Sequence, residues 1–75
     1  MNNTAAQQFP ESAYEVGQKL VHVERQKELK ILEKNWINKN KKKEDVYQWL
    51  YNCQYKDGRY VRYYENRLHE ECRRL

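Results

Sequence analysis

The nucleophiles and proton carriers of this chain are few and scattered. Cys53, Cys72, His22 and His69 are all the thiols and imidazoles it has. A structural zinc site needs paired ligands a few residues apart, closed by a second such pair. No Cys-x-x-Cys occurs, and His69-x-x-Cys72 reads as one turn of a surface helix. Cys53 acting with a histidine is arithmetically open, but no local signature accompanies it. The aliphatic hydroxyls are Thr4 and Ser12, both close to the N-terminus, which leaves no serine for an acyl-transfer triad. Gly17 and Gly58, the only glycines, lie too far apart for a glycine-rich phosphate loop. No pattern nominates a metal, a cofactor or an acid–base pair, so the chain is read as a non-enzyme.

Cations and rings remain. Fifteen Lys+Arg against eleven Asp+Glu give a net charge of +4, which leans toward anionic partners. Aromatic residues make up 13% of a chain whose mean hydropathy is −1.33. They are seven tyrosines, two tryptophans and one phenylalanine. Tyr and Trp suit half-wet positions, burying a ring while keeping a polar handle in reach of a partner. A 75-residue chain cannot bury both a large core and a deep dry cavity, so a binding module is favoured. No apolar run approaches the roughly 20 residues that span a bilayer, and no secretory pattern opens the chain. The expected setting is therefore intracellular, cytoplasmic or nuclear, with no membrane association and with both thiols reduced.

The elements that would hold these groups follow from periodicity. Residues 1–13, rich in Asn, Gln, Ala and Thr with Phe9 as their one large aromatic, read as a flexible tail. Residues 14–75 read as one small domain. Gly17 would open a first strand of roughly six residues around Leu20-Val21-His22-Val23. Glu28 to Ile37 fits two periods. Leu29, Leu32 and Trp36 fall as on a helix, whereas a strand needs a bulge near Ile31-Leu32 to bring Leu29 onto the face shared by Leu32 and Trp36. Lys39, Lys41, Lys42 and Lys43 then mark a polar loop or hairpin tip.

From Tyr47 to Tyr55 every odd position is aromatic or Cys, the period of a strand with one buried face. Lys56-Asp57-Gly58 follows, a strong hairpin cue because Gly adopts positive φ freely. A three-residue loop with Gly58 left-handed would pair Cys53 with Val61 and Tyr51 with Tyr63, placing Arg62 and Tyr64 outward. After Glu65 no β-branched residue occurs, and a short helix is predicted. The alternative is a small three-helix domain, since Val46, Trp49, Leu50 and Cys53 also fall on one helical stripe, as do Tyr64, Leu68, Cys72 and Leu75. The prevalence of Tyr, Trp, Val and Cys between 46 and 64 favours strands.

In order along the chain stand Val16-Gly17-Gln18-Lys19-Leu20, a strand, a basic loop, Tyr51-x-Cys53-x-Tyr55-x-Asp57-Gly58-Arg59, and Glu65-Asn66-Arg67-Leu68. This succession resembles the small SH3-like barrels of the Tudor and chromo-barrel type over Tyr14 to Leu68. The resemblance implies a mainly β fold, a small SH3-like barrel with a disordered N-terminal tail and a short C-terminal helix. The chromo-barrel's Asp-Glu-Trp triplet is replaced here by Val61-Arg62-Tyr63-Tyr64, so its methyl-lysine cage is not carried over.

Each functional reading has a plainer counterpart. Trp49, Tyr51 and Tyr63 would serve as core before they served as a stacking platform. The Lys39–Lys43 cluster is either a phosphate-contacting loop or a solvated tip that blunts a sheet edge. His22 is expected to be a half-buried polar residue, and Cys53 an inert core thiol. The candidate nucleic-acid or partner-binding residues are Lys39, Lys41, Lys42, Lys43, Arg59, Tyr60, Arg62 and Tyr64. The leading function is a non-enzymatic module that contacts nucleic acid or a protein partner through a basic and aromatic face. The second is an assembly role, as a homo-oligomer or an accessory subunit that buries its surplus aromatic surface.

Overall fold

Alternating rings and amides along Tyr47–Tyr55 can be satisfied only by an extended chain with one side buried, and that segment is the centre of the structure. The computed structural model describes residues 9–38 and 47–75. Its elements are β1 (Lys19–His22), β2 (Lys27–Asn38), β3 (Tyr47–Tyr55), β4 (Tyr60–Tyr64), α1 (Glu65–Glu71) and β5 (Cys72–Arg74). All strand pairs are antiparallel, in the order β4-β3-β2-β1-β5. The fold is mainly β, and the three-helix alternative is excluded. Among the described residues the five-stranded sheet is open, not a closed barrel. No described helix is long and apolar enough to cross a membrane.

The turn after β3 sets the register of β4. Gly58 takes φ +101°, its N–H donates to Tyr55 O at 2.9 Å, and Tyr55 N–H donates to Arg59 O at 2.8 Å. That is the three-residue loop read from the sequence, and it pairs Cys53 with Val61 and Tyr51 with Tyr63. The bulge in β2 also falls at the expected place, between Ile31 and Glu33. Its consequence for the faces differs from the expectation. Ile31, not Leu32, shares the core with Leu29, and Leu32 is left exposed, because the extra residue puts Leu32 and Glu33 on the same outward side.

Two boundaries need correction. The first strand is shorter than expected, four residues, and Val23 lies outside it. The C-terminal helix ends at Glu71. Cys72 (φ −125°, ψ 159°) is already extended and pairs with His22, which adds β5 to the edge of β1. Residues 9–13, read from the sequence as tail, reach the sheet. Trp49 Nε1 donates to Pro10 O at 3.1 Å, and Phe9 lies 6.1 Å edge-on from the Trp49 ring.

The core joins Leu20, Leu29, Ile31, Trp49, Tyr51, Cys53, Tyr55, Tyr63, Leu68 and Cys72 with Tyr14. Burying one large apolar side chain contributes about 1.5–3 kcal/mol, yet four of these residues are tyrosines whose hydroxyls also need partners. Tyr55 and Tyr63 hydroxyls bond to each other at 2.9 Å. Tyr14 Oη meets His69 Nδ1 at 2.9 Å. Tyr51 Oη donates to Glu65 Oε1 at 2.5 Å, the same oxygen that accepts the Ala13 N–H at 3.1 Å. Glu65 thereby ties the N-terminal arm and the first turn of α1 to the central strand.

That node is testable. Tyr51→Phe keeps the ring but removes the donor to Glu65, and is expected to lower stability by about 1–3 kcal/mol, read as a reduced urea midpoint with unchanged slope. An unchanged midpoint would show that Glu65 is satisfied by solvent instead.

Candidate functional site

The same period that sends rings inward sends polar side chains outward, and strand pairing then aligns them across the sheet. Lys19 lies opposite Lys30, Lys30 opposite Gln54, and Gln54 opposite Tyr60. This outward row crosses four strands. Arg62 stands two residues along β4 from Tyr60, on the same face and opposite Asn52, and Arg73 lies opposite Val21 on β5.

Lys19 and Lys30 are closer than two cations ordinarily sit. Ile31 N–H donates to Gln18 O at 2.9 Å, so by the antiparallel alternation the next pair, Lys19 with Lys30, is non-hydrogen-bonded. In such pairs Cα atoms approach to about 4.5 Å and side chains are at their closest. Like charges directly opposite are destabilising. Neither lysine forms an ion pair among the described residues. Beside them opens a cleft of about 320 Å³, lined further by Lys56, Gln54, Gly58 and Glu28. Glu28 is engaged by Lys56 at 3.9 Å. Glu33, the other outward carboxylate of β2, accepts a bond from Asn52 Nδ2.

The residues nominated from sequence divide into four groups. Tyr60 (74% exposed) and Arg62 stand on the outward face with the lysine row. Tyr64 is half-buried at the junction with α1. Arg59 is exposed at the hairpin tip, its Nε 3.4 Å from Asp57 Oδ2. Lys39, Lys41, Lys42 and Lys43 lie outside the described residues. Lys19 and Lys30 escaped the sequence reading because only the β1–β2 register makes them neighbours.

A second cluster was also missed. At the far end of the β2–β3 pair, Trp36 stacks on Tyr47 with ring centroids 5.7 Å apart and contacts Trp49 at 5.4 Å and Phe9 at 6.3 Å. Phe9 and Tyr47 are 52% and 43% exposed, so the rings present apolar surface to solvent. Lys34 Nζ sits 5.3 Å from the Trp49 ring and is held by Ser12 Oγ at 2.7 Å and Glu15 Oε1 at 3.0 Å.

The thiols and His22 are occupied otherwise, while exposed His69 meets Tyr14 Oη through Nδ1. Cys53 and Cys72 are free and buried. Burial pushes the Cys53 thiol up to about 12 and Cys72 up to about 11, so neither supplies thiolate near neutrality. His22 is more buried than expected, 3% exposed. Its Nδ1 accepts the Arg25 N–H at 3.2 Å, which assigns the proton to Nε2 for donation to Glu71 Oε1 at 2.9 Å. The hydrogen bond from His22, then that from Arg67, holds the Glu71 carboxyl below its ordinary range. Among the described residues no group of three His, Cys, Asp or Glu side chains is arranged to hold a metal ion.

The opposed lysines carry a cost that substitution should reveal. Lys19→Glu converts the repulsive cross-strand pair into an attractive one and is expected to stabilise the free protein by about 0.2–1 kcal/mol, measured by chemical denaturation at low salt. A destabilised variant would mean that Lys19 is already neutralised.

Compared with protein-family models, with curated proteins and with solved structures, the chain matches none.

Proposed function

We propose that this chain is a non-enzymatic binding module whose outward sheet face takes nucleic acid. The observation that carries the reading is the directly opposed Lys19–Lys30 pair, which has no carboxylate partner among the described residues. A phosphate beside it would relieve the repulsion and release counterions. Tyr60 and Arg62 flank the row. An exposed Tyr ring offers a base a stacking surface, and Arg adds charge and planar contact. Lys39, Lys41, Lys42 and Lys43, together with Arg59, belong to the same proposal as further phosphate contacts. The fold is proposed to be an opened relative of the SH3-like barrels of the Tudor and chromo-barrel type. The β5–β1 pairing across a short helix supports that kinship, which by itself assigns no ligand. An intracellular location, cytoplasmic or nuclear, goes with this reading.

Titration of a fluorescent single-stranded oligonucleotide at two salt concentrations tests it. Binding is expected to weaken steeply with salt. Lys19→Gln combined with Lys30→Gln should flatten the dependence of log K on log salt by about 1.4, about 0.7 for each phosphate no longer neutralised. Salt-insensitive binding, or none, would sink the proposal.

The exposed Phe9–Trp36–Tyr47 cluster favours a second reading, an assembly role in which these rings pack against another protein surface or a second copy. Sedimentation over a range of concentrations should then show reversible association that Phe9→Ser with Tyr47→Ser abolishes. A strictly monomeric chain would remove the homo-oligomeric form of this reading.

A further inference from the structure

The β4 edge borders the outward face and offers backbone rather than side chains. Tyr55 and Arg59 form a hydrogen-bonded pair at the turn, so along β4 the pairs Cys53–Val61 and Tyr51–Tyr63 are hydrogen-bonded and the intervening ones are not. Val61 and Tyr63 therefore commit their backbone groups to β3. Tyr60 and Arg62 direct theirs away from the sheet, and no backbone partner meets them among the described residues. An unpaired strand edge of this kind is a template for another extended chain.

The surroundings of that edge select what can pair with it. On the inward side, Arg25 and Arg59 frame a cavity of about 140 Å³ lined by Tyr55, Val61 and Tyr63 and bordered at the strand edge by Tyr60, room for one short side chain. Arg25 forms no ion pair among the described residues, and Arg59 meets only Asp57. On the outward side Arg62 is exposed and likewise has no ion pair. A second copy is disfavoured as occupant, because in-register two-fold pairing of β4 would set Arg62 against Arg62. Edge arginines also protect a strand from self-association. That protection is directional in charge, since it repels a basic strand and attracts an acidic one.

We propose that the free edge of β4 binds an acidic, extended peptide segment as an added strand, with one carboxylate between Arg25 and Arg59 and the adjacent one against Arg62. Successive residues of a strand point to opposite sides, so two consecutive acidic residues reach the inward cavity and the outward arginine together. This surface shares Arg59, Tyr60 and Arg62 with the nucleic-acid reading but does not use Lys19 and Lys30, the pair on which that reading rests.

The probe is the blocked peptide Thr-Val-Glu-Asp-Val-Thr, titrated into the isotopically labelled full chain. Binding should shift the Tyr60 and Arg62 amide resonances and slow their exchange with solvent. N-methylation of alternate peptide amides should weaken binding by about tenfold, and so should replacing both acids by their amides. Arg25→Ser with Arg59→Ser, checked for retained spectral dispersion, should lose a similar amount. Lys19→Gln with Lys30→Gln should leave peptide affinity within about twofold, whatever those substitutions do to oligonucleotide binding. Unprotected Tyr60 and Arg62 amides, undiminished binding of the N-methylated peptide, or loss of peptide binding in the lysine variants would each overturn the proposal.

Discussion

A phenol can be buried only if its hydroxyl finds a partner, and this chain fills its interior with tyrosines. The rings supply bulk that so short and polar a sequence has in few other residues, while each hydroxyl imposes a position on something distant in sequence. Tyr51 fixes Glu65 at the start of α1, Tyr14 fixes His69 near its end, and Tyr55 fixes Tyr63 across the hairpin. Leaving one such group unpaired costs about 1–3 kcal/mol, a large fraction of the whole stability of a small domain. The docking of the arm and the helix therefore follows from the side chains of β3. Arg74 strengthens the same joint by donating to Ala13 O at 2.8 Å while lying over the Tyr14 ring.

The outward face is the complement of that interior. Period two leaves β3 presenting Gln48, Leu50, Asn52 and Gln54 to the other side, and none of these carries a charge. The charge balance there is set by β1, β2, β4 and β5. Their outward carboxylates, Glu28 and Glu33, are engaged by Lys56 and Asn52. Lys19, Lys30, Arg62 and Arg73 keep their charges uncompensated by ion pairs among the described residues. Positive potential thus accumulates on one side of the sheet and around one of its edges. Part of the acidic charge is neutralised away from that face, around α1 and the hairpin turn, where Glu71 is engaged by His22 and Arg67 and Asp57 by Lys27 and Arg59.

What could be read in advance was what is local. The strand at 47–55 and the register of its hairpin were legible because alternation and an Asp57-Gly58 turn fix both within a few residues. The bulge was legible as a need, but its face was not. Whether Ile31 or Leu32 takes the core depends on which residue the partner strand skips. β5 was missed because Leu68, Cys72 and Leu75 continue a helical stripe. Only the vacant edge of β1, a long-range feature, draws Cys72 out of it. The packing of Phe9 and Pro10 on Trp49 was hidden for the same reason. Of the candidate site, Tyr60 and Arg62 could be assigned outward from the hairpin alone, whereas Lys19 and Lys30 become a pair only through the β1–β2 register.

The distribution of reactive and unreactive groups bears on the kind of function such a surface supports. The thiols sit where burial keeps them protonated, and the Tyr51 and Tyr63 phenols are raised further above their ordinary value, by burial first and then by hydrogen bonds to Glu65 and Tyr55. His22 has both ring nitrogens committed. Both thiols and His22 are thereby used as structure, whereas His69 is exposed and engages Tyr14 through Nδ1. Exposed groups without an ion pair among the described residues include Lys19, Lys30 and Arg62 but also the carboxylates of Glu11, Glu24 and Glu70. Cations, rings and free strand backbone are the kinds of group that contact phosphate, bases and extended peptide. A sheet offers two faces and two edges at once. Under the proposed reading, one cationic face and one open edge would let the same few strands act as both scaffold and binding surface.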